Sequence, residues 1–562
     1  MKKPDAEKMS LRMEAIWLDA EERIMQDVIR RIRQNSKITS TADYQINRLV
    51  QMGKSTEEVE KILKEALNKT YPEMYELYDD VTNWQYVRNK DLYEQVNGEF
   101  IPPEENEELK QISSAMKKQT ADELRNLAQS YGFAVLMGGK KVFTPFAEYY
   151  QKYVDAAIMD IVSGGYDYNT VIRRVVTQMT NSGLRTVDYA SGWSNRTPVA
   201  VRRAVMTGVA QITGKVAEQN ANALGTNHYE VDWHAGARPD HRVWQGKVYS
   251  YEQLISVCGL GTVTGLHGAN CYHDYYPFIP GISERLYSDE WLDEQNRKEE
   301  QTKTWMGKEY NLYEQTQKQR QMETAMRAQR EKVSLLKEAK ADPDDIMIAR
   351  AKYQAQLDEY GRFCKRMGLQ QQRERIYYDM RGRVAQNTNK SRYIANQVQK
   401  MYNKSSILDS IEEYEKDLKG LKKYREKVPN AELWHYRLDK TLHEKKLIMP
   451  KAYVVPAECK KAYVLEDLAH KKDPAHIMKR MLERNITDDQ VQSYVDTAIF
   501  SLMHYNDTRL AYYSREGVTV LTKTSDYDGV EWITKTTWSK TDFDETTDRI
   551  LKEAKKYAKS RG

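Results

Sequence analysis

The stretch VDWHAGARPDHRVWQGKVYS, residues 231–250, gathers two histidines, two arginines and two tryptophans in a run with neither helical nor strand periodicity. Just upstream, NHYEVDW alternates like a strand from Asn227, and downstream the loop passes into KVYSYEQL before GLHGANCYHDYYPF brings in Cys271 and His273. Residues 226–290 therefore read as a small irregular module with little apolar sequence. Ordering such a backbone costs ~1 to 2 kcal/mol per residue, so a module of this kind needs a staple. His234, His241, Cys271 and His273 are residue types that bind zinc, and Cys-x-His sets two of them side by side. The spacing is not that of a standard zinc finger, and His267 is able to substitute for either of the first two histidines. The other reading is a buried polar network, in which the histidines with Arg238, Asp240 and Arg242 bond the loop's backbone.

Outward from this module the periodicity is helical. Met9, Met13, Ile16, Trp17 and Ala20 recur at helical spacing between Ala6 and about Gln34. Ser55 and Glu58 make a capping-box pattern, and Gly53 just before it predicts the end of a preceding helix, hence helix, turn, helix. Thr144-Pro145 and Thr197-Pro198 mark further helix starts, since proline in a first turn forfeits no hydrogen bond. The second of these helices runs to Gly225. Its small residues Ala200, Ala204, Gly208, Ala210 and Gly214 predict close packing against another helix. From Glu284 to about Leu447, Glu, Lys, Gln and Arg dominate, which fits helical hairpins or coiled-coil arms broken at Asp342-Pro343. After Pro450 the texture becomes α+β, with strand-like YYSREGVTVL and VEWITKTTW and a final helix from about Asp544. The expected fold is mainly α and multidomain: a helical region 1–225, the loop-rich module 226–290, a charged helical or coiled-coil region 291–447, and an α+β domain 451–562.

Composition narrows the function classes. Lys and Arg number 87 against 82 Asp and Glu, a net charge of +5 over 562 residues, so no field demands nucleic acid or a membrane. No run of eighteen apolar residues occurs, and the N-terminus lacks the apolar core of a signal peptide, so export and membrane insertion are not expected. Cys258, Cys271, Cys364 and Cys459 show no paired pattern, which argues against a disulfide scaffold. Tyrosine, at 39, far exceeds phenylalanine, at 8, and suits half-wet contacts between subunits, including homo-oligomers. HEKKL at His443 lacks the second histidine of a metallopeptidase, and GLGTVTG at Gly259 has the wrong spacing for a dinucleotide loop.

WHAGARPDHRVWQGKVYS, followed by GLHGANCYHDYYPFIPGISER, resembles the signature of the phage minor capsid protein 2 family, related to Mu-type head morphogenesis proteins. The resemblance covers about residues 1–300. It implies a virion protein, made in few copies, that associates with the portal and other capsid proteins inside the head and passes through the host cytoplasm before assembly. Relatives often end in variable C-terminal domains, some of them toxins.

In HIMKRMLERNIT, His476, Arg480 and Arg484 fall four residues apart, on one helix face. That set suits phosphodiester cleavage: histidine moves protons near neutral pH, arginine grips phosphate, and RNA supplies its own 2′-hydroxyl nucleophile without a metal or cofactor. A solvated amphipathic face is the alternative reading. The order of helix, tyrosine-bearing hairpin, ITKTTW strand and DFDE helix resembles the barnase/EndoU/colicin/RelE-like toxin RNases over about residues 470–562. By position the resemblance assigns catalysis to His476, Arg480, Arg484, Lys535 and Thr536, with Tyr513 and Ser514 as weaker candidates and host RNA as partner. Residues 471–562 hold 16 Lys and Arg against 15 Asp and Glu, without the basic excess of a general RNA binder. Two further readings stand beside these: a purely structural virion protein with an inactive C-terminal domain, and a non-viral cytoplasmic helical scaffold stapled by zinc.

Overall fold

The structure is a computed structural model that describes residues 3–35, 41–187, 193–268, 271–377, 388–457, 463–464, 476–524 and 531–558, with side chains for all of these except 35, 41–52, 388, 463–464, 476 and 558. It is mainly helical and falls into two compact units, Met1–Ile394 and Ala395–Gly562. The division lies inside the charged stretch 291–447. Cys459 lies outside the described residues.

The first unit is built on long helices: α1 (Ala6–Asn35), α2 (Thr41–Val87), α3 (Glu107–Gln129), α4 (Tyr168–Ser182), α5 (Thr197–Ala223), α6 (Leu312–Glu338) and α7 (Pro343–Met367). Their apolar faces converge on one core that includes Trp17, Ile24, Tyr78, Leu124, Val201 and Val333. A four-stranded antiparallel sheet adds Phe133 and Leu184 to it, in the order β2 (Lys140–Pro145), β1 (Tyr131–Met137), β3 (Leu184–Val187), β4 (Ser194–Arg196). α5 begins at Thr197 with proline in its first turn and is followed by Gly225 at φ +67°, where its sequence signals put both ends. The small residues of α5 do allow close approach. A Cβ on Gly208 would sit 1.9 Å from Tyr78 Oη, the hydroxyl that donates to Val205 O at 3.0 Å across the helix pair.

One expectation changes. Gly53 does not end a helix: α2 runs unbroken from Thr41 to Val87, and Ser55 Oγ, instead of capping, donates to Asp27 Oδ2 of α1 at 2.7 Å. Glycine in a helix costs about 1 kcal/mol, less than the packing of Val59, Ile62, Leu63 and Ala66 against α1 returns. Residues 312–367 form the helical hairpin of the two expected arrangements, broken at Asp342-Pro343 and set into the core. Arg196 of β4 binds Glu21 of α1 at 2.7 Å and Glu331 of α6 at 3.0 Å, so charges on α6 point inward and are paired.

The second unit carries a six-stranded sheet in the order β8 (Tyr453–Pro456), β10 (Phe500–His504), β11 (Arg509–Tyr513), β12 (Gly517–Lys523), β13 (Trp532–Ser539), β9 (Tyr463–Val464), antiparallel except where β9 joins β13. Helices α8 (Ile407–Lys427), α9 (Leu433–Glu444), α10 (His476–Arg484), α11 (Asp488–Asp496) and α12 (Glu545–Ala558) accompany it. Trp434, Leu438, Ile550 and Ala554 of α9 and α12 pack with Phe500, Leu502 and Tyr513 in one core, and Leu421 of α8 packs with Leu510, Tyr512 and Trp532 in another. Among the described residues, no helix is long and apolar enough to cross a membrane.

Candidate metal centre and C-terminal face

The module after α5 is held by a three-stranded antiparallel sheet with β5 (His228–Val231) between β6 (Val248–Ser250) and β7 (Tyr275–Phe278). It rests on Ala217 and Ala221 of α5 through Tyr229, Val231, Trp244, Leu266 and Tyr275. The β5–β7 register continues past the strand ends, where Asp232 N donates to Asp274 O at 2.9 Å and Asp274 N to Asp232 Oδ1 at 2.8 Å. That continuation draws residues 232–234 alongside 271–274. A short helical turn, Pro239–Arg242, then points His241 into the same place.

The result is a compact cluster. One ligand atom each from His241, Cys271 and His273 lie within 4.8 Å of one another. His241 and His273 are 2% and 1% exposed, and the Trp244 ring lies 4.5 Å and 4.8 Å from theirs. Gln245 Oε1 accepts from the backbone N–H of His234 at 3.2 Å and lies 2.8 Å from His273 Nε2. An oxygen there makes Nε2 the protonated nitrogen, which leaves Nδ1 with its lone pair 3.5 Å from Cys271 Sγ. His241 Nε2 lies 2.8 Å from the carbonyl of Thr264, which also accepts from Arg238 at 2.5 Å. Of the four residues singled out by sequence, three thus converge. His234 lies against His273 with ring centres 4.2 Å apart and planes tilted by 36°, and keeps its Nδ1 3.2 Å from Ala235 O. His267 is engaged elsewhere, 3.6 Å from Asp274 and stacked on Tyr275.

Burial governs the electrostatics. It pushes the His273 ring down to about 2, helped by the neighbouring His234, His241 and Arg238, and it also lowers His234 and His241. All three imidazoles are therefore neutral, the form that binds metal. Burial pushes the Cys271 thiol up to about 11, so without a cation beside it this sulfur stays protonated. Asp232 is raised by burial and by the charge of Asp274. Asp274 falls below the ordinary range, because His267, Lys3 and Arg88 outweigh its burial. Gln245, Trp244 and the Thr264 carbonyl were not foreseen from sequence. Gln245 sits beside Trp244 in the quoted stretch, but nothing in its spacing marks it as the group that orients His273.

With this geometry in hand, the family described as phage minor capsid protein 2 matches residues 3–364. The chain belongs to that family. The match extends past the end of the quoted motif and takes in the α6–α7 hairpin, in keeping with the placement of that hairpin in the first unit's core. No curated protein and no solved structure matches the chain. This is therefore a phage minor capsid protein, a virion component, whose residues beyond 364 lie outside the matched region.

In the C-terminal unit of the minor capsid protein, α10 packs against β13. Arg484 Nη1 donates to Thr537 O at 2.5 Å, and Arg480 is paired with Glu483 at 2.9 Å. Lys535 is the extra residue of a bulge in β13, because Leu521 pairs with Thr534 and Val520 with Thr536. Lys535 and Thr536 are half-buried. His476 opens α10, and its side chain lies outside the described residues. Tyr513 is in the core, stacked on Phe500 at 5.1 Å, and burial raises its hydroxyl. Ser514 is fully buried and closes the turn into β12, donating to Gly517 O at 2.7 Å and accepting from Gly517 N at 3.0 Å.

Proposed function

We propose that the minor capsid protein is a portal-associated head component whose 226–290 module is a structural knot held by zinc, with no catalysis of its own. The supporting observation is the convergence of His241, Cys271 and His273 on one buried point, with Gln245 and Trp244 packed against the rings. Two neutral imidazoles and a thiol suit zinc, whose ligand atoms stand about 3.3 to 3.8 Å apart when bonds are 2.0 to 2.3 Å long, so a small contraction completes the set. His234, whose ring centre lies 4.2 Å from that of His273, is the candidate for a fourth position. Zinc would supply a cross-link between the 238–245 turn and the chain entering β7. Rings exposed by only 1–2% offer a substrate no approach, which favours the structural role. Particles carrying His241→Ala with His273→Ala should lose this protein from purified heads by mass spectrometry. Normal incorporation of the double variant would remove the knot from the function.

A second reading is favoured by the antiparallel meander β10–β13 with α10 laid on its last strand. In this reading the C-terminal unit is a metal-independent RNase-like effector acting on host RNA, with His476, Arg480, Arg484, Lys535 and Thr536 as its active face. The contact from Arg484 to Thr537 brings that helix end to the strand that bears Lys535 and Thr536. The full chain should cut RNA in the presence of a chelator and lose that activity in His476→Ala. Intact RNA with wild-type protein would leave the C-terminal unit structural.

A further inference from the structure

The first unit contains a second place where chemistry concentrates. A cavity of about 170 Å³ lies where α1, α5 and α6 meet the segment that precedes β7, and it is lined by Arg202, Arg203, Arg320, Arg327 and Arg375. Five guanidinium groups around one small space repel one another unless anions sit among them. Carboxylates supply part of the balance. Glu14 and Glu323 line the cavity, and Glu7 binds Arg375 at 2.5 Å and Arg202 at 3.5 Å. Arg327 lies 3.4 Å from Glu14, and Arg375 lies 3.9 Å from Glu323. Three acids thus serve three arginines.

Arg203 and Arg320 remain. Neither forms an ion pair within 4.0 Å among the described residues, although Glu123 faces Arg203 and Glu323 faces Arg320 at longer range. Arg203 donates from Nη2 to the neutral amide of Asn195 at 3.1 Å, and its Nε is buried with no hydrogen-bond acceptor. Arg320 is exposed along its length and lies over the Tyr272 ring at 5.8 Å, and the hydroxyl of that same tyrosine accepts from Arg202 at 3.3 Å. Two guanidinium groups without a close carboxylate and a tyrosine hydroxyl line one hollow. The complement is a compact anion with several acceptor oxygens, which guanidinium forks bind through paired hydrogen bonds.

We propose that this cavity binds a phosphate-type oxyanion, taken either as free phosphate or as the phosphate group of a mononucleotide, with Arg203 and Arg320 as its principal ligands. The volume admits a phosphate group and is too small for a nucleic-acid strand with its bases. The two sources share this chemistry and differ in what lies outside the mouth. The site is separate from the His241–Cys271–His273 cluster, although Cys271 forms part of its wall.

The test uses the full-length protein, with calorimetric titration and thermal unfolding at fixed ionic strength and chloride as the reference salt. Inorganic phosphate, a deoxynucleoside monophosphate and a short single-stranded oligonucleotide are the probes. Binding of phosphate or of the monophosphate is expected, with Arg203→Gln and Arg320→Gln each weakening it on the order of tenfold. A tighter response to the monophosphate would assign the nucleotide as source, and equal responses would assign the phosphate group alone. Arg320 is exposed, so Arg320→Gln keeps the phosphate-free melting temperature of the wild type and remains informative should Arg203→Gln fail to fold. No response to phosphate or monophosphate beyond that to chloride, a response to the oligonucleotide alone, or unchanged binding in Arg320→Gln would overturn the proposal.

Discussion

Acid should loosen the knot, and His273 sets the scale. Its ring is 1% exposed and is held down to about 2 by burial, whereas in the unfolded chain it titrates near 6.5. Folding therefore keeps neutral a group that the unfolded chain protonates as pH falls below about 6.5. The stability it lends is complete above that value and is lost progressively as pH drops toward 2. One such group gives a slope of about 1.4 kcal/mol per pH unit, hence about 1.4 kcal/mol lost by roughly pH 5.5 and about 2.7 by roughly pH 4.5. His234 and His241, lowered in the same direction, add to the slope. The assay is urea unfolding of chelator-treated full-length protein between neutral pH and about pH 4.5. Tryptophan fluorescence reports it, since Trp244 lies 4.8 Å from His273. His273→Gln cannot protonate, so its pH slope should be shallower than that of the wild type by about 1.4 kcal/mol per unit, whatever its loss at neutral pH. Equal slopes in the two proteins would refute the buried neutral imidazole.

Other outcomes follow from packing and charge. Arg196→Ala strands Glu21, fully buried, and Glu331 without their cation, and should cost about 3 to 5 kcal/mol in the unfolding of the first unit; a loss below about 1 kcal/mol would mean the network is solvated. Gly208→Ala drives a methyl into the Tyr78 hydroxyl and should destabilise the same transition by about 1 to 3 kcal/mol in urea melts, with Gly53→Ala, whose Cβ meets nothing within 4 Å, as a neutral or stabilising control. In the second unit, Gly517→Ala puts a Cβ 2.3 Å from the Tyr494 ring, and a loss of about 1 to 3 kcal/mol should appear in that unit's melt.

Much of the fold was legible because local signals and tertiary packing agree. Thr197-Pro198 and Gly225 bound α5, and the period-two runs around Tyr229, Tyr512 and Trp532 became strands. Where they disagree, packing wins. Gly53 and Ser55 spell a helix break, but the apolar stripe around them continues, and α2 continues with it. In the charged stretch the helices were legible but their burial was not. Arg330, Glu331 and Glu323 are 1%, 6% and 2% exposed, and composition registers their polarity but not the distant partners that allow their burial. At the cluster, the Cys-x-His spacing made Cys271 and His273 visible; the helical turn Pro239–Arg242 brings His241 to them, while strand register lays His234 alongside. Gln245 and the Thr264 carbonyl had no such signal, since a backbone oxygen has no letter in the sequence and a glutamine in a loop reads as surface. The five arginines of the cavity come from three separate segments and read as ordinary solvated charge until the helices are assembled.

Metal content bears most directly on the claim that the 226–290 module is a stapled knot. Elemental analysis of the full-length protein, purified without added metal or chelator, should find one zinc per chain, and Cys271→Ser combined with His273→Ala should abolish it. Wild-type protein without stoichiometric zinc, or a double variant that retains it, would contradict the account.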